Sequence, residues 1–149
     1  MRMTAEDRLN APPTLDLAFD SGMLSIVRTR MHVHARRAGM PGDRVAEVVL
    51  AVHELAANAI THGGETGRLR VWDLAGALHC QVDDGDPPAP GDPALASWPP
   101  ELAGHGLWVV RHIADQMQIA RGPRGTRVTV TFNARGPDQA HVQRGPTPA

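Results

Sequence analysis

The stretch HELAANAITHGG, residues 53–64, carries Glu54 and Asn58 one helical turn apart in an otherwise mostly apolar run. A carboxamide oxygen is a hard donor suited to magnesium, an ion that takes few protein groups and completes its shell with water and substrate phosphates. A carboxylate one turn earlier is placed to orient or deprotonate an attacking hydroxyl or water. The His53-Glu54 pair does not begin a zinc-protease motif, because the second histidine of H-E-x-x-H falls at residue 57, which is Ala57.

Two later segments supply complementary chemistry. In CQVDDGDPPAP, strand alternation puts Cys80, Val82 and Asp84 on one face and Asp83 on the other. A carboxylate is acceptor-only, so Asp84 suits an adenine amino group and repels the carbonyl that guanine presents at the same edge. Asp-Gly followed by Asp-Pro-Pro is also ordinary turn chemistry, which is the competing reading. In GHGLWVV, Gly104 and Gly106 open an apolar helix, and free amides at a helix start suit an anion such as phosphate. A glycine-rich helix entry without a ligand is the plainer alternative. Thr126, opening the last strand after RGPRG, is unremarkable alone.

These groups need elements to hold them. Between Val45 and Ile60 only Glu47, His53, Glu54 and Asn58 are not apolar. At about 100° per residue Glu47, Glu54 and Asn58 fall within roughly 40°, a stripe too thin for an ordinary solvated face, with the exposed edge of an amphipathic helix as the competing reading. The expected helix runs from about Arg44 to Thr61, with Asp43 as N-cap and Gly63-Gly64 as its stop. Ahead of it, TLDLAF reads as a strand and Ser21 to about Ala38 as a helix, with Leu24, Val27, Met31 and Val33 at loose helical spacing. That helix carries Arg28, Arg30, Arg36 and Arg37, a solvated basic face or a partner-binding one. Behind it come RLRVWDL and ALHCQVD, joined as a hairpin by Ala75-Gly76. Residues 85–103 hold six prolines and are expected to be a lid rather than a regular element. The helix after GHG, a strand to Ala120, the GPRG turn and TRVTVTF complete the order.

At 149 residues, 42% hydrophobic and net charge -1, the chain has the balance of one soluble domain without a broad nucleic-acid footprint. Nothing approaches the roughly 18 apolar residues of a membrane span, and the N-terminus lacks a signal-peptide core, so a cytoplasmic protein is expected. Cys80 is the one cysteine, compatible with a reducing compartment. All 15 basic residues are arginine, which excludes a Walker-type phosphate loop and the strand lysine of eukaryotic-type kinases. Expected boundaries are a flexible 1–11, an ordered domain over 12–133 with its lid at about 85–103, and a disordered tail at 134–149. The expected class is α/β in the α+β sense, a two-layer sandwich with a mixed, largely antiparallel sheet covered on one face by helices.

Together the three motifs resemble the GHKL, or Bergerat-fold, ATP-binding superfamily, with the nearest likeness to free-standing anti-sigma factor serine kinases. ELAANAITHG looks like its N box, implying Glu54 as general base, Asn58 as magnesium ligand and His62 near the nucleotide. VDDGD looks like the first glycine box, implying Asp84 as the adenine-reading residue. Sliding the register to Asp83 restores a D-x-G but breaks the strand alternation. GHGL looks like the second box, implying Gly104, His105, Gly106 and Leu107 against the phosphates, and Thr126 matches a threonine that supports the adenine site. One departure is that the usual first glycine falls on Asp86, ahead of Pro87-Pro88, implying a stiffer lid. The resemblance implies ATP and Mg2+ as cofactors and serine/threonine phosphotransfer controlling a sigma factor or its antagonist. Homodimers are frequent in the family, and neither direct nucleic-acid nor membrane contact is implied. With no phosphoacceptor helix pair before residue 12, a complete histidine kinase is not expected. A non-catalytic ATP-dependent interaction switch is the alternative.

Overall fold

The computed structural model describes residues 9–85 and 105–134, apart from the side chains of residues 62, 63 and 105. Five strands form one sheet: β1 (Leu15–Asp20), β2 (Thr66–Leu74), β3 (Ala77–Gly85), β4 (Gln116–Gly122) and β5 (Gly125–Asn133). Their spatial order is β1-β2-β3-β5-β4, and every neighbouring pair is antiparallel. Three helices, α1 (Leu24–Arg37), α2 (Gly42–Asn58) and α3 (His105–Ile113), belong to the second layer. This is the two-layer α+β sandwich expected from the order of patterns. The expected lid beyond Gly85, the far N-terminus and the tail beyond Ala134 lie outside the described residues.

Alternation in the strands decides which side chains meet the helices. Leu69 and Val71, Leu78, Cys80 and Val82, and Val128, Val130 and Phe132 are all buried and share one face through the strand registers. α1 answers with Val27, Met31 and Ala35, spaced by four so that they form one stripe. Val33, expected on that stripe, is exposed instead, because its position lies on the side of the helix away from the sheet. α2 contributes Val45, Val48, Ala51, Val52, Leu55 and Ala56. The hairpin between β2 and β3 turns on Ala75 (φ 54°) and Gly76 (φ 79°), the two left-handed residues of a primed turn.

The start of α2 differs from expectation. Pro41 is its N-cap, extended at φ -66° and ψ 161°, and its carbonyl accepts from the Val45 N–H. Asp43 sits inside the first turn, where its charge favours the helix N-terminus but caps nothing beyond its neighbour's amide. Arg44 then turns inward. It is only 2% exposed and donates to the carbonyls of Ile113 and Asn133 at 2.9 and 3.1 Å and to Asp115 Oδ2 at 2.7 Å. Its guanidinium lies 5.5 Å from the Phe132 ring centre. One side chain thus joins the start of α2 to the end of α3 and the end of β5, so α3 runs back along α2 and begins near Glu54.

Candidate functional site

α2 ends at Asn58 and passes into a wider π-helical turn, Ala59–Gly63, before Gly64 breaks it at φ 140°. Such widened turns cluster at functional sites. This one lets the chain leave the helix beneath β2 and β3 while Asn58 still faces the sheet. Asn58, Leu55 and Ala59 from this element meet Val82 and Asp84 of β3, Leu107 of α3, and Thr126 and Val128 of β5 around one small pocket. Four of the residues singled out in the sequence, from four separate elements, therefore share a lining.

Asp84 is the residue of the aspartate pair that reaches this pocket. It stands opposite Thr126 across the β3–β5 ladder, and its Oδ1 accepts the Thr126 backbone N–H at 2.7 Å. That bond orients the carboxylate along the pocket floor. The aliphatic walls of Leu55, Val82, Leu107 and Val128 reduce its access to water. Asp83 points to the opposite face. There it is 6% exposed and receives Arg127 at 2.8 and 3.0 Å and Arg70 at 3.2 Å. The alternation in VDDGD thus separates one aspartate for the pocket from one for a guanidinium clamp.

Glu54 lies where α2 meets the start of α3. A Cβ built on Gly106 would fall 2.5 Å from Glu54 Oε2 and 3.4 Å from its Cδ, so the missing side chain is what accommodates the carboxylate. Gly106 thereby brings helix-start backbone beside the acid. The pocket has a volume of about 20 Å3, room for about one water. The donors and acceptors that line it, Asn58, Asp84 and Thr126, are already in place. Among the described residues no group of three or more His, Cys, Asp or Glu side chains is arranged to hold a metal. A magnesium ion at Asn58 would therefore draw its other oxygens from water and phosphates, as its chemistry allows.

Not every expected residue joins the site. Glu47, on the same stripe as Glu54, is largely exposed and pairs with Arg44 at 3.2 Å. His62 and His105 belong to the widened turn and to α3, but their side chains, like Gly104, lie outside the described residues. Cys80 is fully buried, and burial pushes its thiol well above the usual range, so it takes no part in nucleophilic chemistry. Arg44 was missed by pattern reading, since an arginine next to a helix start ordinarily signals solvent. The Arg70–Asp83–Arg127 clamp left a fainter sign: Arg68 and Arg70 alternate with apolar Leu69 and Val71.

Among solved structures, two nucleotide-free forms of the catalytic domain of histidine kinase ThkA are similar. Each is 15% identical with a TM-score of 0.46, covering 83% and 82% of this chain and 100% and 99% of theirs. No curated protein sequence matches. The family model described as histidine kinase-like ATPase domain matches residues 18–132, a span that runs from β1 to the end of β5 and takes in all the pocket residues. The chain belongs to the histidine kinase-like ATPase domain family, within the GHKL superfamily of ATP-binding domains.

Proposed function

We propose that this ATP-binding domain is a magnesium- and ATP-dependent protein serine/threonine kinase of the anti-sigma factor type, acting on a sigma factor's antagonist and holding the sigma factor itself. The observation that carries the nucleotide reading is the meeting of Asn58, Asp84, Leu107 and Thr126 in one pocket, with Glu54 against Gly106 at the adjoining helix start. Asp84, oriented by the Thr126 N–H, accepts from the adenine amino group and disfavours guanine. Asn58 would hold the magnesium, and the backbone at Gly106 and Leu107 would face the phosphates. Magnesium ATP, when bound, supplies the phosphoryl group and the charge neutralisation for its transfer. Glu54 would accept the proton of the substrate serine hydroxyl as that oxygen bonds to the terminal phosphorus and ADP leaves. His62, Gly104 and His105 complete the nucleotide contacts in this reading, and residues 85–103 form the lid.

The protein works as a cytoplasmic regulator, alone or as a homodimer; no described helix is long and apolar enough to cross a membrane. The alternative is a non-catalytic switch. A nucleotide that orders the site couples occupancy to shape, and that alone can control partner binding.

The test is calorimetric titration of magnesium ATP and magnesium GTP into the wild type and Asp84→Asn. A hydrogen bond to a charged group contributes about 1.5–3 kcal/mol, so the variant should bind ATP roughly 10- to 150-fold more weakly. Undiminished ATP affinity in the variant would sink the adenine assignment. Phosphotransfer to a serine-bearing antagonist, abolished by Glu54→Gln with binding retained, separates kinase from switch.

A further inference from the structure

The face of the sheet turned away from the helices carries a second cavity of about 390 Å3, lined by Thr66, Gly67, Arg68, Arg70, Asp83, Gly85 and Arg127. Asp83 is the buried floor, holding the Arg70 and Arg127 guanidiniums by charge-assisted bonds of 3.2 and 2.8 Å. Arg68, directly opposite Asp83 in the β2–β3 register, is held in turn by both oxygens of Asp16 at 2.7 and 2.6 Å. Three guanidiniums against two carboxylates leave one net positive charge. The Arg70 Nε is buried and has no hydrogen-bond partner among the described residues.

We propose that this cavity is a second ligand site, for a phosphorylated polyol of the sugar-phosphate class, on the opposite side of β3 from the nucleotide pocket. Guanidinium forks match the planar oxygen pairs of a phosphate group, and here they are held in position before any ligand arrives. Asp83 is saturated by its own arginines, so its charge is largely spent inside the protein. The cavity falls within the range of small-molecule sites and exceeds what a bare phosphate fills. Among the described residues its lining holds no aromatic or aliphatic side chain. That composition offers nothing for a base to stack on or for an acyl chain to rest against, and suits a hydroxyl-rich body beside Thr66. The ligand is therefore a soluble sugar phosphate rather than a nucleotide or a lipid headgroup.

The site is independent of the nucleotide reading and can be tested apart from it. Ribose 5-phosphate, unphosphorylated ribose and inorganic phosphate are titrated by calorimetry into wild type, Arg70→Met, Arg68→Gln and Asp84→Asn, with thermal melts to establish that each variant is folded. Expected are saturable binding of ribose 5-phosphate, none of ribose, a loss of tenfold or more in Arg70→Met, a smaller loss in Arg68→Gln, and no change in Asp84→Asn. Arg68 is half exposed, so its variant keeps the test valid should Arg70→Met fail to fold. Absence of saturable binding at millimolar ligand overturns the proposal. So does loss in Asp84→Asn with retention in the arginine variants, which would place the ligand in the nucleotide pocket. Inorganic phosphate binding as tightly as the sugar phosphate would mean an adventitious ion only, and overturns it too.

Discussion

Gly106→Ala separates the stability of this domain from its proposed chemistry. The new Cβ would fall 2.5 Å from Glu54 Oε2, where ordinary contact begins at 3.4 Å, so the carboxylate must retreat by about 0.9 Å. Glu54 Cδ and Cβ already stand at 3.4 and 3.5 Å, so a torsional shift suffices and the helices need not part. That shift costs about 0.5–1.5 kcal/mol, and replacing glycine by alanine in a helix returns up to about 1 kcal/mol. Net stability should stay within about 1 kcal/mol of wild type. The reaction is far less tolerant: a 1 Å misplacement of a catalytic group can cost on the order of 100-fold in rate. ATP affinity should fall by less, since Asp84 and Thr126 hold the other end of the site. The assay pairs denaturant unfolding and ATP calorimetry with single-turnover phosphotransfer. A folded variant that transfers phosphate within about threefold of wild type would refute the role of the Glu54–Gly106 contact in placing the base.

Removing the buried guanidinium by Arg44→Met takes the counter-charge from Asp115, which keeps only the Asn133 N–H, and a donor from two carbonyls, so unfolding in urea should show a loss of about 3–5 kcal/mol; a change under about 1 kcal/mol would mean the three-way junction stabilises little. His34 is held below its ordinary 6.5, first by burial and then by the charges of Arg37 and Arg30, against a weaker opposing pull from Asp73. Its folded pKa is depressed, so the stability it contributes is full above pH 6.5 and is lost as pH falls through the folded value. His34→Gln should flatten that part of the urea-midpoint profile between about pH 7 and 5, and an unchanged slope would assign the acid sensitivity elsewhere. Cys80 is buried with its thiol pKa raised, so iodoacetamide at about pH 8 should alkylate it only as fast as the protein unfolds. Rapid labelling of the native protein would contradict the packing of β3.

The sequence was sufficient wherever the controlling period was local. A repeat of 3.6 residues placed Glu54 and Asn58 on one arc of α2, and a repeat of two sent Asp84 and Asp83 to opposite faces of β3. The hairpin at Ala75-Gly76 was legible for the same reason, since two adjacent residues carry its geometry. Other features depended on groups far apart in the chain. Thr126 meets Asp84 only because β5 pairs with β3 in one register, after the chain has passed through α3 and β4. Gly106 meets Glu54 because α3 packs back along α2, with Arg44 tying its far end to the start of α2. Asp43 looked like a cap, yet Pro41 took that place, because the burial of Arg44 and Val45 fixes where the helix begins. Local periodicity assigns a side chain to a face, whereas its partner is set by sheet closure and core packing, which sum contacts over the whole chain and leave no short-range mark in the sequence.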